Sequence, residues 1–304
     1  MDPHYNLVFY LIMLWKDRQG NIVPGDDGQD RFLQLLYGTS LGRIVVKIMI
    51  KPWVSKVAGK LMDSRISTFF IKGFVKKNGI DMSQYENRKY LSFNDFFTRK
   101  VREGERVIDY AKGHLISPCD SKLCVFAITE DARFTVKNTE YTLASLLRDE
   151  GLARKYVGGQ LLLFRLTVGD YHRYGYPDDG LKSDNIQIDG FFHTVNPVAN
   201  DRYPIYKENT REYTVIESKT FGSILMMEVG ATMVGRIVNE KGVAKVKRGE
   251  EKGRFEFGGS TVILCLEKDK AVIDSDIIHN TKSNVETIVK YGEKIGIAMQ
   301  EVQM

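Results

Sequence analysis

A glycine–glycine–serine segment near the carboxyl end of the chain has residue types that could cut the backbone. Residues 257–264 read FGGSTVIL, so Ser260 follows two glycines and precedes a run of apolar, mostly β-branched residues. A serine hydroxyl can attack the carbonyl of the preceding residue if the backbone adopts an unusual conformation, which glycine permits at the lowest cost. Elimination and hydrolysis would then turn Ser260 into a terminal pyruvoyl group, an electron sink comparable in role to pyridoxal phosphate. The same residues also fit a hairpin turn that enters a buried strand.

Four other short segments accompany this one along the chain. They read FNDFFTR at 93–99, ISPCD at 116–120, DYHR at 170–173 and EVGATMVG at 228–235. Together with FGGST they resemble the FFxR, SPxDG, DYHR, VGAxxVG and LGST or GGST elements of the phosphatidylserine decarboxylase family. Each segment alone is a weak signal, but five in the family's order are a strong one. The resemblance covers roughly residues 90 to 265.

The resemblance implies a set of catalytic residues. Ser260 would be the cleavage nucleophile, with the cut between Gly259 and Ser260. Asp120 matches the family's relay aspartate, and His172 matches the histidine usually assigned to decarboxylation. Such a cleavage needs a base beside the serine hydroxyl and a further group that orients the base.

The chain departs from the family pattern at a second histidine. The family often has one three residues after the first, usually assigned to cleavage, but Gly175 stands there in this sequence. Two replacements stay open. Either His172 serves both steps, or His193 reaches the site from a neighbouring strand; a half-buried structural role is the alternative for His193. A smaller departure is Ser121, where the family pattern usually has glycine.

The resemblance also implies a reaction and its partners. Cleavage would give a β chain of residues 1–259 and an α chain of residues 260–304, which begins with the pyruvoyl group and stays associated non-covalently. The amine of phosphatidylserine would form a Schiff base with this group, and loss of CO₂ would lead to phosphatidylethanolamine. His172 is expected to protonate the product carbon, because an imidazole near its free pKa suits general-acid work at neutral pH. No metal or added cofactor is expected, and a homodimer stays open.

Two other functions stay open as well. The short strands and glycine-rich turns could form a lipid-binding module without catalysis, in which Ser260 remains a serine. Alternatively, the pyruvoyl group acts on a soluble amino acid. An uncut chain would favour the first alternative, and activity on free serine would favour the second.

Composition and charge narrow the setting of the protein. The 304 residues are 43% hydrophobic and 27% charged, which allows a globular core. The net charge of +5 is compatible with an anionic membrane surface. No basic stretch with interleaved aromatic residues points to nucleic acid. The three cysteines lack the spacing of a disulfide framework or a zinc site and are expected to be reduced.

The amino-terminal part of the chain predicts peripheral contact with a membrane. The apolar stretch 7–15 is shorter than the roughly 20 residues that span a bilayer, and it lacks the flanks of a signal peptide. Between residues 39 and 62, apolar residues at helical spacing are mixed with basic ones, which suits a solvated helix face or an interfacial helix on anionic lipid. We therefore expect a peripheral protein on the cytoplasmic face of a bacterial-type cell membrane.

The hydrophobic patterns predict an α+β fold. Residues 1–115 are expected to be mainly helical and membrane-associating, with helix starts near Asp81 and Ser92. In residues 116–304, short apolar runs alternate with Gly, Asp and Asn, which predicts a β-rich catalytic domain, either a sandwich or a partly open barrel. Strands are expected at 122–128, 160–167, 213–217, 223–229 and 260–266, and one helix near 142–148.

Overall fold

The fold is taken from a computed structural model that describes residues 14–23, 39, 42, 44–46, 52–136, 139–191, 205–230, 236–239, 242–256, 258 and 260–299. The helices in these ranges are Pro52–Met62 (α1), Ile71–Lys77 (α2), Phe93–Phe97 (α3), Leu143–Leu147 (α4), Glu150–Arg154 (α5), Ile205–Glu208 (α6) and Ser275–Lys282 (α7). Two 3₁₀ helices cover Arg65–Phe70 and Met82–Gln84. No helix in the described ranges is long and apolar enough to cross a bilayer.

The strands lie mainly in the second part of the chain. They are Trp15–Lys16 (β1), Ile22–Val23 (β2), His114–Ile116 (β3), Ser121–Ala127 (β4), Arg133–Val136 (β5), Thr139–Thr142 (β6), Gln160–Leu166 (β7), Arg173–Gly175 (β8), Gly180–Lys182 (β9), Ile186–Ile188 (β10), Arg211–Ser218 (β11), Gly222–Gly230 (β12), Ile237–Asn239 (β13), Ala244–Val246 (β14), Glu251–Phe255 (β15), Ser260–Leu266 (β16), Ala271–Ile273 (β17), Glu286–Val289 (β18) and Lys294–Ala298 (β19).

One large open sheet carries most of these strands. Its order is β14-β9-β11-β12-β16-β7-β4-β18-β1-β2, with β10 added to β11. Smaller sheets are formed by β13-β15-β8, by β17-β19-β3 and by β5-β6. The predicted α+β class is confirmed, and the five predicted strands occur within two residues of their expected bounds. The predicted helix near 142–148 is α4, whose first turn is capped by the Thr142 side chain.

The strand β16 lies in the middle of the large sheet and is buried along its whole length. It pairs antiparallel with β12 on one side and with β7 on the other. Val262 and Leu264 point into one hydrophobic core, whereas Ile263 and Cys265 point into the core on the opposite face. A strand covered on both faces needs apolar residues at successive positions, which explains the unbroken run of 262–266.

The amino-terminal helices pack around a cluster of aromatic residues. Phe93, Phe96 and Phe97 of α3 form its buried centre, and Met62 and Phe74 pack against them. Ser92 caps α3 by accepting a hydrogen bond from the Asp95 N–H at 3.0 Å. The Asp81 side chain likewise accepts from the Ser83 N–H at 2.9 Å. Both predicted helix starts are therefore present.

The first described residues form a hairpin that belongs to the large sheet. The strand β1 pairs with β2 and runs parallel to β18, with Trp15 opposite Glu286. In the following turn, Arg18 donates to Asp276 at 2.6 Å and to Asp274 at 2.8 Å. Most of the apolar stretch 7–15, several of the basic residues between 39 and 56, and the predicted site residues His193 and Gly259 lie outside the described residues.

Candidate active site

Ser260 and His172 meet in the buried interior. Ser260 is the first residue of β16 and His172 lies just before β8, and their side chains are at most 1% exposed. His172 Nδ1 lies 3.2 Å from Ser260 Oγ, within reach for proton transfer. The serine predicted to be the nucleophile therefore lies beside one of the two histidines considered as its base.

The second ring nitrogen of His172 fixes which tautomer is present. His172 Nε2 lies 3.0 Å from the backbone carbonyl oxygen of Thr167. A carbonyl can only accept, so Nε2 carries the proton and donates it to Thr167. Nδ1 is then unprotonated and can accept the Ser260 hydroxyl proton. This is the tautomer that a base for Ser260 requires.

Burial keeps the His172 ring neutral. Loss of solvent lowers the pKa of His172 to about 3, and the negative charge of Asp170 offsets only part of this effect. Arg99 and Lys122 lower the same pKa further through their positive charges. The expected pKa near that of free histidine is therefore wrong for the uncut chain. A neutral imidazole can serve as a base without first losing a proton.

The aromatic cluster of α3 supports the other side of the histidine. The Phe97 ring lies 4.2 Å from the His172 ring, measured between centroids. Two residues further along, the buried Arg99 donates to the carbonyl oxygens of Gly169 and Asp170 at 3.2 and 3.3 Å. The FFxR segment thus holds the loop that carries His172, so the helices reach directly into the site.

A charged cluster lies beneath this loop. Lys122 Nζ donates to both carboxylate oxygens of Asp170 at 2.7 Å and to Thr167 Oγ1 at 3.1 Å. Asp170 also accepts from the Thr167 N–H at 2.6 Å and from its hydroxyl at 2.8 Å. Together these bonds fix the residue whose carbonyl binds His172.

Asp120 lies in a different hydrogen-bond network. Its carboxylate accepts from Arg106 at 2.6 and 2.9 Å, from the Tyr291 N–H at 2.9 Å and from Lys290 at 3.4 Å. Among the described residues, neither His172 nor Ser260 is a hydrogen-bond partner of Asp120. The structure brings His172 and Ser260 together but does not join Asp120 to them, and its assignment to the relay stays a prediction.

Tyr291 explains why glycine stands at position 175. The Gly175 N–H donates to the Pro118 carbonyl at 2.9 Å, so this position lies beside the segment that carries Asp120. A Cβ atom at position 175 would lie 2.2 Å from the Tyr291 hydroxyl oxygen and 2.6 Å from the Glu250 carbonyl oxygen. The space where the family's second histidine would begin is therefore filled by a tyrosine.

A second buried ion pair lies on the same face of the sheet as Ser260. Glu228 accepts from Lys252 Nζ at 2.6 Å and from Asn239 Nδ2 at 3.0 Å, and both charged side chains are fully buried. Glu228 lies two residues from Gly230, the partner of Ser260 in the β12–β16 ladder. Residues two positions apart in a strand share a face, so Glu228 lies on the same face of the sheet as Ser260.

Sequence reasoning missed Lys122 and Thr167 as members of the site, and it also missed the buried Glu228–Lys252 ion pair. One signal was available for Lys122, since a lone lysine follows Ser121 in a strand that is otherwise apolar. The threonine three residues before Asp170 was a second signal, because such spacing often marks a side chain that bonds to local backbone. Nothing in the sequence pairs Glu228 with Lys252, which comes from a different sheet.

Conformation before Ser260 is also unusual. Gly258 has a φ of +136°, a region that residues with a side chain rarely adopt. The sequence-based expectation that glycine supplies an unusual backbone conformation in this segment therefore holds at Gly258.

Comparisons with known proteins assign the chain to a family. A profile of the family described as phosphatidylserine decarboxylase matches residues 93–297. A phosphatidylserine decarboxylase proenzyme 2 from Clostridium acetobutylicum is 45% identical over 265 residues, which are 87% of this chain and 91% of that protein. A phosphatidylserine decarboxylase proenzyme from Fusobacterium nucleatum is 42% identical over 270 residues, covering 87% and 90% of the two chains. The resemblance drawn from the five motifs is confirmed, and the chain belongs to the phosphatidylserine decarboxylase family of enzymes.

Proposed function

We propose that this chain cuts itself between Gly259 and Ser260 and then decarboxylates phosphatidylserine to phosphatidylethanolamine and CO₂. The pyruvoyl group derived from Ser260 would be its cofactor. The observation that carries the proposal is the 3.2 Å contact between His172 Nδ1 and Ser260 Oγ in a member of this family. The relatives' printed name, proenzyme, supports processing of the chain.

Self-cleavage begins when Ser260 Oγ gives its proton to His172 Nδ1 and attacks the carbonyl carbon of Gly259. The C–N bond between the two residues breaks as the serine nitrogen takes up a proton, which leaves an ester. Removal of the serine α proton then expels the Gly259 carboxylate and gives dehydroalanine, which rearranges to an imine. One water hydrolyses the imine, so that ammonia leaves and the pyruvoyl group remains at position 260.

The surroundings of Ser260 fit a cofactor made from the chain itself. Ser260 lies at the start of β16, whose ladder hydrogen bonds hold it from both sides. Gly230, its direct partner on β12, has no side chain to crowd the new group. When present, the pyruvoyl group supplies a carbonyl that accepts the electrons released as CO₂ leaves.

His172 is also our candidate for returning a proton to the product carbon. In the uncut chain its pKa lies at about 3, so it is poorly suited to rest in the protonated form. Opening of the site to water after cleavage would reduce the loss of solvent that is the largest cause of this low pKa. The same histidine then serves as a base in cleavage and as a proton donor in turnover.

An exposed apolar surface on the helices suits contact with a lipid bilayer. Ile66, Phe69 and Phe70 in the 3₁₀ helix are 78%, 85% and 52% exposed, and we call these three residues the docking surface. Basic residues flank it, since Arg65 and Lys72 are also exposed. Apolar side chains bordered by cations are typical of surfaces that insert into the headgroup region of anionic membranes.

A short series of contacts connects the docking surface to His172. Ser67, in the same 3₁₀ helix, accepts a hydrogen bond from the Phe93 N–H at 2.7 Å. Phe93 packs against Phe97, whose ring contacts His172. The 3₁₀ helix that carries the docking surface is therefore linked through α3 to the residue that contacts His172.

Vesicle binding tests the docking surface. The double variant Ile66→Ser with Phe69→Ser should bind vesicles of phosphatidylglycerol and phosphatidylcholine at least about tenfold more weakly, because two large apolar side chains no longer enter the bilayer. Val107→Ser is the matched control, since Val107 is 79% exposed but lies outside the docking surface. Unchanged sedimentation of the double variant with vesicles would exclude this surface.

Substrate assays separate the proposed function from its alternatives. We expect CO₂ release from phosphatidylserine in mixed micelles and none from free serine. Release from free serine alone would indicate a decarboxylase of a soluble amino acid. An uncut chain that binds vesicles without releasing CO₂ would indicate a lipid-binding protein.

A further inference from the structure

We infer that Lys122, Asp170 and Thr167 position His172 for self-cleavage, in the role that a relay carboxylate would otherwise have. This inference rests on the proposed function and adds three positioning residues to it. Among the described residues, the side chains of these three form no hydrogen bond to Ser260; they act through the Thr167 carbonyl that binds His172.

The direct hydrogen-bond partner of His172 Nε2 is a backbone carbonyl rather than a carboxylate. In a serine–histidine–aspartate relay, the carboxylate accepts a hydrogen bond from the histidine N–H and so selects the tautomer that can act as a base. Here the Thr167 carbonyl oxygen accepts this hydrogen bond at 3.0 Å. The orienting group is therefore a neutral backbone carbonyl, whose direction depends on how residue 167 is held.

Asp170 holds Thr167 in place. The residue follows β7 directly, and its N–H and its hydroxyl both donate to one oxygen of Asp170, at 2.6 and 2.8 Å. Two bonds from one residue to one carboxylate oxygen leave little freedom for the peptide group. Asp170 thus sets the conformation of the turn that directs the carbonyl towards His172.

Lys122 in turn holds Asp170 in place. Lys122 Nζ binds both of its oxygens at 2.7 Å, and the two side chains are only 6% and 14% exposed. Lys122 projects from β4, the neighbour of β7 in the large sheet, so the cluster is anchored on two paired strands. Burial by itself raises the pKa of Asp170, but the charge and hydrogen bonds of Lys122, together with those from Thr167, lower it below its ordinary value.

The remaining charges near the histidine agree with this arrangement. Asp170, Arg99 and Lys122 are the charged groups with the largest influence on the pKa of His172. Asp170 is the one anion among them, and it lies between the two cations. Asp120, the aspartate predicted for the relay, is occupied by Arg106 and the Tyr291 N–H. The cluster therefore orients the carbonyl that binds the histidine, while Arg99 holds the same loop through the Gly169 and Asp170 carbonyls.

The experiment compares self-cleavage in variants made by cell-free synthesis, with intact-mass spectra taken over time. Asp170→Asn should slow cleavage about 10- to 100-fold, the usual effect of losing a residue that orients a direct partner of the catalytic group. Here the direct partner of His172 is the Thr167 carbonyl, which Asp170 orients. The expected slowing is less than the roughly 10⁴-fold that follows loss of a direct relay carboxylate. Asp170→Glu, which keeps the charge, should recover part of the rate.

Asp178→Asn is the matched control for the loss of a buried aspartate that is paired with a basic side chain. Asp178 is 2% exposed, binds Arg248 at 2.7 Å and accepts from the Ser218 hydroxyl at 2.5 Å, but it does not contact the loop of His172. If both variants cleave equally slowly, general destabilisation accounts for the effect and the inference is wrong.

A second measurement reads the tautomer itself. In a Ser260→Ala background, which cannot be cut, nitrogen NMR should find the His172 proton on Nε2. Addition of Asp170→Asn should shift part of the population to Nδ1, and Lys122→Met should do the same if Asp170→Asn fails to fold. An unchanged tautomer in a folded variant would overturn the inference. If the wild-type chain is never cut, the proposed function fails as well, whereas a cut wild type with an equally fast Asp170→Asn variant refutes only the positioning role.

Discussion

At the scale of single residues, His172 is held through both of its ring nitrogens. Nε2 donates to Thr167, and Nδ1 faces the Ser260 hydroxyl. Burial lowers the pKa of the ring to about 3, so the neutral form predominates at physiological pH. These three facts describe a base that needs no change of protonation before it can act.

This arrangement predicts the pH dependence of self-cleavage. A base with a depressed pKa is active above that pKa and is lost as the pH falls through it, so the cleavage rate should not fall between pH 8 and pH 5. A time course of intact-mass spectra on freshly synthesised chain measures this rate. His172→Ala should slow cleavage by roughly 10²- to 10⁴-fold, whereas His114→Ala, which alters a histidine paired with Asp109, should not. A decline in rate with a midpoint near the pKa of free histidine would contradict the account.

At the scale of elements, the site is built where strands and loops from distant parts of the chain end together. The strand β16 supplies Ser260, the loop after β7 supplies Thr167 and His172, and α3 supplies the Phe97 ring. The strand β8 and the turn containing Tyr291 occupy the place where a second histidine would begin. The departure from the family pattern is thus a packing change that involves two elements.

The tight contact at Gly175 predicts the effect of restoring the family's histidine. Gly175→His should lower the free energy of unfolding by about 1–3 kcal/mol, as overpacking does, because its Cβ would overlap Tyr291 and the Glu250 carbonyl. Adding Tyr291→Ala should recover part of that loss, since it removes the ring that the new side chain meets. Thermal or denaturant unfolding of Ser260→Ala versions measures both changes.

Gly73→His is the control for adding a histidine to the chain. A Cβ at Gly73 in α2 meets nothing within 4 Å. If Gly175→His is as stable as this control, the proposed reason for glycine at position 175 is wrong.

Local patterns in the sequence predicted much of the fold and the centre of the site. The strand β16 was predictable because its apolar run is a local signal, and the starts of α3 and of the 3₁₀ helix Met82–Gln84 followed from Ser92 and Asp81. Ser260 and His172 were predicted from motifs, and the structure brings them together.

Pairings between distant residues were not predictable. Three contacts join residues that no sequence pattern links. They are the ion pair between Asp120 and Arg106, the packing of Tyr291 against position 175, and the pairing of β1 with β18. Burial lowers the pKa of His172, and this burial arises because α3 and β16 both pack against the histidine. These features arise from tertiary contacts, which local propensity does not encode.

In the whole molecule, strands of the expected α chain lie between strands of the expected β chain. The strand β16 lies between β12 and β7, and β18 lies between β4 and β1. A cut before Ser260 would leave these ladder hydrogen bonds in place, so both chains would stay together without a covalent link. The amino-terminal hairpin also binds the expected α chain, because Arg18 forms ion pairs with Asp274 and Asp276.

The hairpin contact predicts a contribution to the stability of the whole protein. Arg18→Ala should lower the free energy of unfolding by about 1–2 kcal/mol, since it removes charged hydrogen bonds from a residue that is only 17% exposed. Arg154→Ala is the matched control, because Arg154 forms an ion pair with Glu150 in which both side chains are more than 70% exposed. Denaturant unfolding of Ser260→Ala versions compares the two. Equal losses would mean that the hairpin does not help to hold the later segment.

An intact-mass spectrum of the freshly purified, denatured protein tests self-cleavage between Gly259 and Ser260. Self-cleavage predicts two chains, residues 1–259 and 260–304, with the smaller one lighter by about 17 Da, the mass of ammonia, than a simple hydrolysis product, because its first residue has become a pyruvoyl group. Ser260→Ala should give one chain under the same conditions. A single wild-type chain of 34.7 kDa would contradict the account, as would a small fragment that retains an amino-terminal serine.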